Sequence, residues 1–153
     1  MRAFPNQLAP TRVPIIIPFD KLAAVVDFWV AWLGLTGWTH QIQLATAKNF
    51  GSLGQTGAAW WELSSRHFNV TILDPEEVGP EESYDQEQTL VHELLHVCFA
   101  AWTDESFPGK REGTLFNLCV EQPLDRVASA LTVLGRAHPA HPLKSAPRKA
   151  RKK

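Results

Sequence analysis

The chain reads as an α+β domain, a small sheet of three or four strands with three main helices gathered on one side. Two observations predict this. Apolar residues recur at helical spacing in three separate segments, and the stretch between the first and second of these alternates with a period of two. With 153 residues there is room for one such domain and an ordinary core, but not for a second catalytic domain.

Pro5, Pro10, Pro14 and Pro18 keep residues 1–19 extended, with Ile15, Ile16 and Ile17 as a short strand or a strap over the core. Asp20 is the expected N-cap of a helix from about Lys21 to Leu35. Leu22, Val25, Val26, Trp29, Val30, Trp32 and Leu33 form its apolar face, and Gly37 ends it. Strands are expected over Trp38–Thr46, Ala59–Leu63 and His67–Leu73, with Asn49, Gly51, Gly54 and Gly57 marking a loop between the first two. Asp74-Pro75 stops the last strand, and an acidic loop leads to Ser83 or Asp85 as the cap of a helix from about Gln86 to Trp102. Its apolar face is Leu90, Val91, Leu94, Leu95, Cys98, Phe99 and Trp102. A charged loop over Thr103–Gly113 precedes a last helix carrying Leu115, Leu118, Val127, Ala130, Leu131 and Leu134 and ending at Gly135. The domain therefore covers 20–136, followed by a basic, disordered tail over 137–153.

Composition narrows the function classes. Two cysteines, Cys98 and Cys119, are too few for a disulfide framework, and their two-residue spacing from His96 and Glu121, both discussed below, turns them toward the core. There is no secretory pattern at the N-terminus and no apolar run near the roughly 20 residues that span a bilayer, so the expected home is the cytoplasm, or the virion for a phage-encoded protein. Six of the 15 basic residues fall from Lys144 onward with no acid among them. Nine therefore face 16 acidic residues in the body, and the Lys144–Lys153 tail suits weak contact with nucleic acid or another polyanion.

The sharpest signal is His92-Glu93-Leu94-Leu95-His96 inside the second helix. Histidines four apart on a helix lie about 40° apart around the axis and roughly 6 Å along it, so both imidazoles reach one ion, and Zn2+ suits two nitrogen ligands. Glu93 is turned by about 100° from His92, beside the ion, where it serves as general base toward a zinc-activated water. Catalytic zinc keeps three protein ligands. A third histidine in the extended motif would fall at Trp102, with glycine at Phe99, and neither is present. Glu121 is the preferred third ligand because Asp125, one turn later, is placed to hydrogen-bond the outer nitrogen of a ligand histidine. Pro123 threatens a kink there, and Glu112, Glu105, Asp104, His138 and His141 stay open as alternatives.

The set His92, Glu93, His96, Glu121 and Asp125 resembles the gluzincins, the thermolysin-like zinc peptidases, in a minimal single-domain form of phage or bacterial type. That resemblance implies a zincin-like fold, a Glu ligand from the later helix, and hydrolysis of peptide bonds. Tyr84, the one tyrosine, is a candidate oxyanion stabiliser, against a capping or surface role. His40 and His67 are read as structural, and the pairs Trp29 with Trp32 and Trp60 with Trp61 as core with at most one groove-lining member each. A peptide substrate would add itself to the sheet beside His67–Leu73. Two rivals remain: another zinc amide hydrolase, of peptidoglycan-cleaving or deacylase type, and a non-catalytic structural or regulatory protein whose tail touches nucleic acid.

Overall fold

The computed structural model describes residues 14–50, 54–79, 83–100 and 117–144. Among them, in chain order, are α1 (Phe19–Trp32), β1 (Thr39–Ala45), β2 (Gly57–Glu62), β3 (His67–Leu73), α2 (Gln86–Cys98) and α3 (Gln122–Ala137). This is the expected small α+β fold, with three helices and a three-stranded mixed sheet. None of these helices is long and apolar enough to cross a membrane.

Pro18, not Asp20, caps α1, and Lys21 N–H donates to the Pro18 carbonyl at 2.8 Å. Asp20 falls inside the first turn, where its charge suits the helix dipole. The helix stops at Gly34 rather than Gly37. Gly34 takes φ +72°, its N–H donates to Ala31 and that of Leu35 to Val30, which is the Schellman arrangement that satisfies the last carbonyls.

The strand order is β1-β3-β2, with β1 parallel and β2 antiparallel to β3. Strand β3 is therefore paired on both sides, so a peptide cannot extend the sheet beside it. The outer strands of the sheet among the described residues are β1 and β2. Sequence periodicity located all three strands but carries no information on which of them is central.

Phe68, Val70 and Ile72 of β3 are fully buried against Leu90, Val91 and Leu94 of α2, with Val25, Val26 and Trp29 of α1 and Leu124 and Ala128 of α3 in the same core. The period-two alternation turns Asn69 and Thr71, beside Gln41 and Gln43 of β1, to the opposite face. Trp29 and Trp61 follow the core expectation, whereas Trp32 and Trp60 are 42% and 54% exposed. Both cysteines depart from it: Cys98, the last residue of α2, and Cys119 are exposed.

A buried polar cluster joins the helices. Glu87, in the first turn of α2, has no exposed surface. Its Oε1 accepts from Trp29 Nε1 at 2.8 Å and lies 2.6 Å from His141 Nε2, while its Oε2 accepts from Arg136 Nε at 2.6 Å. Asp85 caps α2 by accepting from Gln88 N–H and also pairs with both terminal nitrogens of Arg136. Its neighbour Gln86 accepts from the Ile17 backbone N–H, and Ile15 bridges to Asp85, so the isoleucine stretch is a strap held to the start of α2. Gly135 does not end α3. It lies within the helix because the Trp29 indole occupies the space where a Cβ would project.

The segment after Arg136 also differs from a tail beginning at 137. His141 is 3% exposed, Leu143 packs against the core, and Lys144 Nζ donates to the Ala137 carbonyl. The disordered tail is an expectation for 145–153 only, outside the described residues. Removing one partner of a buried ion pair leaves the other charge uncompensated. Glu87→Ala is expected to cost about 3–5 kcal/mol of unfolding free energy in urea titration. A loss below about 1 kcal/mol would contradict the role given to this cluster.

Candidate metal centre

The site is assembled where α2 meets the start of α3. Leu90, Val91, Leu94 and Leu95 hold α2 on the core, which leaves His92 and His96 half-buried on its flank toward α3. Their rings meet at 4.8 Å with the two Nε2 atoms 3.0 Å apart. Glu121 closes the triangle, Oε2 lying 3.2 Å from His92 Nε2 and Oε1 3.5 Å from His96 Nε2.

Pro123 does not prevent this. Residues Asn117–Glu121 form a π-helical turn, α3 begins at Gln122, and Pro123 sits in its first turn, where no backbone N–H is required. The wider turn ends on the proposed ligand itself, in keeping with the tendency of π-turns to occur at functional positions. Asp125, one turn along α3, brings Oδ1 to 2.9 Å from His92 Nδ1. The pair does not form a hydrogen bond: His92 Nδ1 is a buried nitrogen without a hydrogen-bond partner, and the Asp125 side chain beside it is largely exposed.

Zinc fits these donors. Ligands at about 2.0–2.1 Å on a tetrahedral ion stand about 3.3 Å from one another. The observed separations of 3.0, 3.2 and 3.5 Å bracket that value. Two imidazoles and a carboxylate, with a second carboxylate on the outer nitrogen of one imidazole, are also the donor set of a catalytic zinc. Among the described residues this is the one group of three or more that could hold a metal.

The charges agree with the assignment. Hydrogen bonds from His92 and His96 hold the Glu121 carboxyl down at about 2, so it is an anion, as a ligand must be. Burial pulls the His92 pKa downward, but Glu121, Glu93 and Asp125 together outweigh it and leave it raised. Glu93 is 7% exposed, and burial pushes its carboxyl up to about 7 against the opposing pull of His96 and His92. A carboxyl tuned to that range both accepts and returns a proton near neutrality.

The other candidates lie elsewhere. Tyr84 is buried, and its hydroxyl donates to the Leu73 carbonyl at 3.3 Å, at the far end of α2 from the histidines. Burial raises its pKa, so it remains a phenol. His141 is bound to Glu87, and His138 packs on Trp32 and Phe28. His40 stacks on Phe68, and His67 is bonded to Thr39 and Asn69. Asp104, Glu105 and Glu112 lie outside the described residues. One contributor escaped the sequence reading. Gly57, taken for a loop residue, opens β2 directly against Glu93.

The geometry predicts about one zinc per purified chain, measured by elemental analysis. His92→Ala and His96→Ala each remove it, while Asp125→Asn retains it with affinity weakened about 10–100-fold. Equal zinc content in wild type and the double histidine variant would refute the centre.

No family model, curated protein or solved structure matches the chain.

Proposed function

We propose that the protein is a zinc-dependent metallopeptidase in which His92, His96 and Glu121 hold the ion and Glu93 is the general base. The observation that carries this reading is the convergence of three ligand atoms within 4.8 Å of one another, with a buried, proton-accepting carboxyl one residue from the first ligand. The gluzincin resemblance of the His-Glu-Leu-Leu-His helix with Glu121 and Asp125 points the same way. Zinc, when bound, polarises the scissile carbonyl and acidifies water.

The chain's own residues do the rest. Glu93 takes a proton from the attacking water as its oxygen bonds to the carbonyl carbon, and delivers that proton to the amide nitrogen as the C–N bond breaks. Burial raises the Glu93 carboxyl, which makes it a stronger base toward water than an exposed glutamate. Asp125, with Oδ1 2.9 Å from His92 Nδ1, is the group placed to orient that ring once it accepts from Nδ1. An extended peptide suits the outer side of β2, the edge strand of the described sheet whose first residue lies against Glu93, and backbone pairing there would fix its register.

Two variants separate base from ligand. Glu93→Gln keeps zinc and fold but loses about 10²–10⁴ in the rate of cleaving a quenched-fluorescence peptide library. Glu121→Gln lowers zinc occupancy itself, because a neutral amide is the poorer ligand. Wild-type cleavage by Glu93→Gln would overturn the mechanism. Zinc binding with no hydrolysis of any amide by wild type would favour a regulatory zinc protein.

The basic residues from Lys144 onward support a polyanion contact beside this activity. A chain ending at Lys144 is expected to keep its fold and lose salt-sensitive binding to single-stranded DNA. Equal binding by the truncated and full chains at low salt would exclude that role.

A further inference from the structure

The first residue of β2 stands in an unusual relation to the proposed base. Gly57 is buried and pairs with Ile72 of β3, and its φ is not in the left-handed region, so nothing in the backbone calls for glycine. Alanine would ordinarily be the better strand residue. Space is what demands glycine here. A Cβ at this position would lie 2.5 Å from Glu93 Oε1, 2.9 Å from Glu93 Cγ and 2.8 Å from Thr89 Cγ2. A glycine within a strand often marks such a close approach.

We propose that Gly57 is a positioning residue: its bare Cα is the seat of the Glu93 side chain and sets where the carboxylate lies relative to His92 and His96. This rests on the assignment of Glu93 as base. Helix α2 cannot retreat to make room, because Leu90 and Leu94 on either side of Glu93 are fully buried in the core. A methyl group at 57 therefore moves the carboxylate instead, by about 1 Å to reach ordinary contact, a displacement able to cost about 10²-fold in rate. None of the three atoms nearest a Cβ at 57 belongs to His92, His96 or Glu121, so zinc is expected to stay.

The test uses Gly57→Ala in the full chain, placed in a Thr89→Ser background. That change removes Cγ2 and retains the hydroxyl that donates to the Asp85 carbonyl, so that the two remaining atoms nearest the new methyl both belong to Glu93. Relative to Thr89→Ser alone, zinc content and KM on the peptide library are expected to hold while kcat falls about 10²-fold. Adding Glu93→Asp, which withdraws the carboxylate by one methylene, is expected to raise kcat in the alanine background and lower it in the glycine background. A second readout needs no substrate. In urea titrations Gly57→Ala is expected to destabilise the protein when Glu93 is present and much less when Glu93→Ala accompanies it. Equal destabilisation in both backgrounds, an unchanged kcat, or loss of zinc in step with kcat would each overturn the proposal. If Glu93→Gln kept full activity, the base assignment would fail, while the stability pair would still decide whether Gly57 seats the side chain.

Discussion

A fully buried carboxylate, Glu87, is the constraint on which the arrangement of helices depends. It lies in the first turn of α2 and is bound by groups from three other parts of the chain: Trp29 of α1, Arg136 of α3 and His141 beyond it. Burying an anion is costly unless its lone pairs are filled, and here three donors fill them. Because the donors come from separate segments, α1, α3 and the residues around His141 can dock only in the orientation that satisfies Glu87 together. Asp85 repeats the constraint on Arg136 and adds the N-terminal strap through Ile15.

That clamp acts at a distance on the candidate metal site. Helices α2 and α3 run antiparallel, with Arg136 near the C-terminal end of α3 fastened to the start of α2, so the start of α3 falls opposite His92 and His96. The π-turn ending at Glu121 then makes the last adjustment, carrying a carboxylate to both imidazoles at once. Three carboxyls surround the two histidines and find different conditions. Glu121 is bound by both rings and ionised, Asp125 is largely exposed beside one outer nitrogen, and Glu93 is buried and poised near neutrality. Environment rather than residue type divides the proposed roles of ligand, orienting group and base among them.

Much of this was written in local sequence. The spacing of His92 and His96, the one-turn step from Glu121 to Asp125 and the alternation over His67–Leu73 are periodicities, and periodicity is a local property. What escaped depends on contacts distant in sequence. Strand β3 is central because β1 and β2 choose the same partner, which no pattern within His67–Leu73 encodes. Gly57 resembles any loop glycine until Glu93, 36 positions later, is laid against it. His141 stands among prolines and lysines and is revealed as a core residue only by Glu87. Asp20 was a reasonable cap by composition, but Pro18 fixes the backbone first and moves the helix start ahead of it. Pro123 is an obstacle only in an uninterrupted helix, and the turn of wider pitch before it places it among positions that need no N–H.

The central claim is that the α2–α3 junction holds zinc through two imidazoles and a carboxylate. X-ray absorption at the zinc edge of the metal-loaded full chain tests it most directly, since it reports the ligating atoms whether or not a substrate is known. The predicted spectrum has a nitrogen and oxygen shell at about 2.0–2.1 Å with the outer scattering of two imidazole rings, and no sulfur. A sulfur shell at about 2.3 Å, which would implicate Cys98 or Cys119, or a zinc environment unchanged by His92→Ala, would contradict it.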